Sequence, residues 1–313
     1  MLKKYLVLVL LLFSFSTNLA AEDIAYLLTA SSKGDVPTVK AMLESGVNAN
    51  TKDSDDITAL MYAARKDRAE VASLLISKGA DVNAVDKGGW TALMFAAKKN
   101  HIATVKVLLD HGADPKIRDP NGWSAFGMAA TAGYSEVVNL MLQHGVDANA
   151  TSDDGKTALM YAAKSGDIST VTALIAKGVQ MNVHDRQGAT ALMYAARGGH
   201  APVITHMLSK GAKVDEQDQS RWTALTWAVK KAQVESAKAL ISGGADVDHE
   251  DSEGTPLLQL AVDTGSVDMV KLLLENHADV KARDQYGLTA YVYALKKGNA
   301  EIIRLIKDAG GKY

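Results

Sequence analysis

Eight histidines and a recurrent series of aspartates are the residues of this chain that could do chemistry. Histidine would serve as a metal ligand or a proton carrier, and paired carboxylates as a general acid and base. Their spacing argues against both. No two histidines stand four apart on one helical face, and no H-E-x-x-H occurs. Cysteine is absent, which excludes a mixed Cys/His zinc site. No G-x-S-x-G elbow, phosphate-cradling glycine loop or S-x-x-K stands in the chain. Asp86, Asp119, Asp185, Asp218, Asp251 and Asp284 recur at one position of a longer pattern, which makes them turn formers. The expectation is a binding protein, not an enzyme, with no catalytic, cofactor or metal residue.

That longer pattern is a period. Thr58, Thr91, Ser124, Thr157, Thr190, Thr223, Pro256 and Thr289 are each 33 residues apart. A second ladder, Gly46, Gly79, Gly112, Gly145, Gly178, Gly211, Gly244, His277 and Gly310, keeps the same step. A fixed period of this length marks a stacked repeat array. The unit Asp86–Arg118 shows the local physics. Asp86 to Gly89 is turn chemistry, Thr91 caps a short helix running through Ala97, and Ile102, Val105, Leu108 and Leu109 give a second helix its apolar stripe. Gly112 stops that helix. Arg221 and Asp56 replace the turn glycine in two units, His277 stands at a helix-stop position, and Arg221 is a candidate functional tip.

The D-x-x-G-x-T turns, the repeated "TALMYAA", and "GADVN" at Gly79 resemble the ankyrin repeat family, over the whole chain beyond residue 21. The resemblance implies an all-α solenoid of helix-turn-helix units with β-hairpin-like turns, about nine 33-residue repeats. The expected organisation is one ankyrin domain over 22–313: an N-terminal capping repeat 22–52, seven repeats over 53–284, and a C-terminal capping repeat 285–313. The second helix keeps an apolar residue at Leu43, Ile76, Leu109, Leu142, Ile175, Leu208, Ile241 and Leu274, then turns polar at Lys307, as a cap should.

Residues 1–21 differ in kind. Lys3 and Lys4 precede an eleven-residue apolar run, Tyr5 to Phe15, and small residues follow at Ala20 and Ala21. This is the layout of a secretory signal peptide, with an uncleaved anchor as the alternative. Without the two leader lysines, 32 Lys and Arg stand against 36 Asp and Glu, which disfavours nucleic acid or anionic lipid as partner. An exported chain without cysteine must be held by packing rather than disulfides.

In ankyrin-like arrays the resemblance places partner contacts on turn tips and on the exposed end of the first helix. The residue before each helix threonine is Trp at positions 90, 123 and 222, three of the four tryptophans. Tryptophan is common at binding hot spots, so Trp90, Trp123 and Trp222 are candidates, with structural packing on the adjacent turn as the alternative. Of the sixteen residues following the A-A pairs, ten are basic. Arg65, Lys66, Lys98, Lys99, Lys164, Arg197, Lys230 and Lys231 among them could steer an acidic partner, or simply solvate a helix C-terminus. Trp227, aligned with Tyr62, Phe95, Tyr161, Tyr194 and Tyr293, reads as core, and Met61, Met94, Met160 and Met193 as packing between repeats.

A free-standing ankyrin array with a leader resembles bacterial envelope proteins. The expected compartment is the periplasm, with secretion as the alternative, and no membrane insertion after cleavage. The expected role is sequestration or inhibition of a peptidoglycan-acting or toxic envelope hydrolase as self-protection, by a chain that is monomeric when free. A non-inhibitory scaffold or stress accessory, and a secreted effector binding host proteins, are the alternatives.

Overall fold

The computed structural model describes residues 22–312; the leader-like segment 1–21 and Tyr313 lie outside them. The described residues form nine helix pairs and no β-strand longer than an isolated bridge. They divide into two compact units, one reaching to Ala129 and including Glu136–Val146, the other comprising Ala130–Ser135 and everything from Asp147.

The first unit holds α1 (22–33), α2 (Val36–Glu44), α3 (Ala59–Arg65), α4 (Ala69–Ser77), α5 (Ala92–Lys98) and α6 (Ile102–Asp110). Helix α7 (Ala125–Ala132) and helix α8 (Ser135–Gln143) contribute residues to both units. The short helices start where the sequence places them. The Thr58 hydroxyl accepts from the Met61 N–H at 3.2 Å while the Met61 sulfur accepts from the Thr58 N–H at 3.4 Å. This is a capping box with a thioether in place of the usual carboxylate. Ala63 and Ala64 are fully buried, and their small size lets α4 approach α3 closely. Leu60, Met61, Val71, Ala72 and Leu75 complete that layer with at most 1% exposure. A Leu or Met side chain buried this completely contributes about 1.5–3 kcal/mol. Helix α6 ends at Asp110 and Gly112 takes φ +83°, the helix stop expected of it.

The second unit repeats the plan with α9 (Ala158–Ser165), α10 (Ile168–Ala176), α11 (Ala191–Gly198), α12 (Ala201–Ser209), α13 (Ala224–Lys230) and α14 (Val234–Ser242). It continues with α15 (Leu257–Thr264), α16 (Val267–Glu275), α17 (Ala290–Lys297) and α18 (Ala300–Asp308). First helices pack on first helices, α9 on α11, α11 on α13, α13 on α15 and α15 on α17. Lys307 is exposed at the end, while Ile302 and Ile306 are buried on the opposite side of α18.

The turns are held by their aspartates. One Asp185 oxygen accepts from the Gln187 and Ala189 N–H groups, both at 2.9 Å. The same two-pronged contact is made by Asp53, Asp86, Asp119, Asp218, Asp251 and Asp284. Antiparallel bridges such as Lys52 with Thr58 and Thr151 with Thr157 make the turns hairpin-like. Arg221, Asp56 and His277 adopt φ between 59° and 66°, the conformation glycine holds in their equivalents. At those positions the stacked scaffold imposes the backbone on the residue present.

Candidate partner-binding face

The residue before each helix threonine is placed by the aspartate that opens the turn, which accepts its backbone N–H. Trp90, Trp123 and Trp222 are held this way, at 2.8, 2.8 and 2.9 Å from Asp86, Asp119 and Asp218. All three indoles are half-buried. The Trp123 ring lies beside Gly127, where a Cβ would stand 3.7 Å from it, in ordinary contact.

On the first unit, Trp90 packs against Phe95 with ring centroids 5.1 Å apart, and the Lys98 ammonium lies 4.6 Å from the Trp90 centroid. The Arg65 guanidinium sits 5.4 Å from the Phe95 ring and 5.7 Å from the Tyr62 ring. Each cation comes from the residue after an A-A pair, and each ring from the first helix or its turn. On the second unit, Arg197 covers Trp227 at 4.8 Å, and Trp222 meets Trp227 edge-on at 4.7 Å. Lys156 lies 5.9 Å from Tyr194, and Lys296 lies 5.2 Å from Tyr293. A partly exposed cation over a ring contributes about 0.5–1 kcal/mol. Such pairing orders the long side chains, so less freedom is lost when a partner docks.

Trp227 is therefore not core. It and its equivalents Tyr62, Phe95, Tyr161, Tyr194 and Tyr293 are half-buried. The polar end decides this: Trp227 Nε1 donates to the second Asp218 oxygen at 2.9 Å, and the Tyr62, Tyr194 and Tyr293 hydroxyls donate to Asp53, Asp185 and Asp284 at 2.7–2.9 Å. The ring thus stands up against the turn rather than descending into the helix layer. Burial and the Asp185 bond push the Tyr194 hydroxyl pKa far up. Asp53 and Asp284 lie below the usual carboxylate range; burial opposes this, and donated N–H and O–H groups outweigh it. Stability from those two carboxylates is full above their unfolded pKa and lost as pH falls through the lowered folded values.

The remaining sequence candidates divide. Lys66, Lys99 and Lys231 cap the C-termini of α3, α5 and α13, exposed. Lys164 is exposed, and its carbonyl accepts from His200 Nε2 at 3.0 Å. His101 makes the equivalent contact with the Arg65 carbonyl at 3.3 Å, so both histidines tie one repeat to the next. Gly166 leaves the room His200 needs, since a Cβ there would stand 2.4 Å from its ring. Arg221 is exposed at its turn tip, and its carbonyl contacts His249 Nε2 at 2.5 Å. Lys230 lines a cavity of about 380 Å³ together with Trp222. Sequence reasoning missed Lys156 as a ring-covering cation, and it missed that cavity. The signal for the cavity was one of the breaks in the buried methionine ladder of Met61, Met94, Met160 and Met193, where the polar Gln259 takes that position. Among the described residues no three His, Asp or Glu side chains converge for a metal, and no helix is long and apolar enough to cross a membrane.

A family model for ankyrin repeats matches residues 27–119, 111–185, 162–251 and 235–312. The chain belongs to the ankyrin-repeat family, whose arrays are typically non-enzymatic scaffolds for protein–protein interaction. A search of the curated proteins finds no match.

Proposed function

We propose that this protein is a periplasmic ankyrin array that binds and restrains an envelope hydrolase, protecting the cell that makes both. The observation that carries the binding part is the pairing of cations with half-buried rings on the first-helix face, Arg65 over Phe95 and Lys98 over Trp90. Ring area with polar reach is the composition of binding hot spots, and the exposed cations favour an acidic partner surface. The compartment rests on the leader-like layout of residues 1–21. Inhibition is the reading favoured for an exported chain whose recognisable part is a binding array.

Affinity capture of the tagged full chain from periplasmic extract, followed by assay of the captured enzyme, tests this. A hydrolase whose rate falls as the array is titrated in is the expected outcome. A captured enzyme whose activity is kept or raised replaces inhibition with stabilisation, and recovery of the chain only from cytoplasm or medium overturns the compartment.

A further inference from the structure

The eighth repeat departs from its neighbours at three positions on one side of α15. Leu260 stands where Tyr194, Trp227 and Tyr293 place a ring, Gln259 stands where Met193 is buried, and Asp263 stands where Arg197 and Lys230 supply a cation. The lost ring has a consequence at the turn. Asp185, Asp218 and Asp284 each receive a hydroxyl or indole N–H on their second oxygen, and Leu260 has no such group to give Asp251. The cavity of about 380 Å³ lies here, within the second unit, lined among others by Asp251, Gln259 and Leu260.

Three features define what would fill it. Gln259 is 2% exposed; its amide nitrogen donates to Asp284 at 2.7 Å, and its Oε1 has no hydrogen-bond partner. A buried carbonyl left without a donor is destabilising, and an entering N–H relieves it. The charge is acidic: Asp251, Glu253, Asp263 and Asp284 line the space against Lys230, and Asp263 is engaged by Lys297 at 2.7 Å. Aromatic surface is present, with Trp222 in the wall and Tyr286 74% exposed at the same cavity. The lining asks for a flat, cationic group rich in N–H donors.

We propose that this cavity takes a guanidinium group, donating to Gln259 Oε1 and to the free side of the Asp251 carboxylate, with Trp222 and Tyr286 offering ring surface. Guanidinium fits better than ammonium because it is planar, weakly hydrated, stacks on rings and carries five donors in a fixed fork. The inference is independent of the compartment and of the hydrolase reading. It also gives this end of the array the opposite charge preference from the Arg65–Lys98 face.

The test is saturation-transfer NMR and calorimetric titration of the purified full chain with acetyl-Gly-Arg-Gly-amide, its citrulline and lysine counterparts, and agmatine. The arginine peptide is expected to bind at least tenfold more tightly than the citrulline peptide and measurably better than the lysine one. Peptide binding as tight as agmatine or tighter assigns the site to an arginine of a polypeptide; tighter agmatine assigns it to a free alkylguanidine. Leu260→Tyr restores the ring that both neighbouring repeats carry and Gln259→Met introduces the methionine buried at Met193, so both variants are compatible with the stack. Each is expected to weaken arginine-peptide binding at least fivefold with an unchanged circular dichroism spectrum. Equal binding of arginine and citrulline peptides, no binding at 20 mM (an upper limit for so small a ligand, roughly 2 kcal/mol), or full binding by Leu260→Tyr would overturn the proposal.

Discussion

The exposed end of α3 and α5 in the first unit and the exposed end of α15 in the second share a backbone plan and differ in what they offer. At the first, rings stand against turn aspartates and cations lie over the rings, Arg65 over Tyr62 and Phe95, Lys98 over Trp90. At the second, Leu260 replaces the ring, the anionic Asp263 replaces the cation, and the turn aspartate lines a cavity. The threonine-led helix and its alanine contacts are retained at the first, whereas at the second Pro256 replaces the threonine and Leu257 and Val262 replace two of the helix alanines, with the paired helices kept. A repeat scaffold can therefore reverse the charge of an exposed face by changing side chains that carry little of the fold. Positions whose contacts stay within the helix layer are constrained; positions standing over the turn are free to specify a partner.

The largest stability effect that sharpens this contrast is at the turn aspartates. Asp185 holds two backbone N–H groups and the Tyr194 hydroxyl, whereas Asp251 holds the two backbone groups without a ring donor. Asp185→Ala is expected to lower stability by about 1.5 kcal/mol more than Asp251→Ala, the value of one hydrogen bond to a charged acceptor. Urea unfolding of the two variants measures it, and equal losses would mean that the ring bond adds nothing.

A smaller effect separates the units at the inter-helix turn. Asp67 and Ala232 occupy the same repeat position with φ of 55° and 51°. Asp67 accepts from the Thr104 hydroxyl of the next repeat at 2.8 Å, and the Ala232 side chain has no polar group to use. Ala232→Gly is expected to raise stability by about 0.5 kcal/mol through relief of the left-handed backbone, while Asp67→Gly lowers it by a similar amount through loss of that bond. Thermal midpoints moving in the same direction would contradict the difference.

Most of the fold was legible because it repeats. Thr91, Gly112 and the apolar stripe through Leu108 mark boundaries in one unit, and a 33-residue step carries them to the rest. Trp90 and Arg65 stood out in the sequence by lying beside the motif rather than in it, and the structure places each in a ring–cation contact. Trp227 was misread because its neighbours in the motif are buried, and alignment alone cannot show that a turn carboxylate draws the indole outward. Gln259 escaped because the ladder also departs at Gly127, Thr226 and Val292, so one more change looks like drift until its unpaired oxygen and the cavity its side chain lines are considered together.

The central claim is that partners dock on the first-helix and turn face. Photo-crosslinking in the producing cell, with a benzophenone amino acid replacing Trp90 or, separately, Thr205 on the exposed side of α12, tests it most directly. A discrete protein adduct from position 90, identified by mass spectrometry and missing from position 205, is expected. The same adduct from both positions, or from position 205 alone, would place the partner elsewhere on the array.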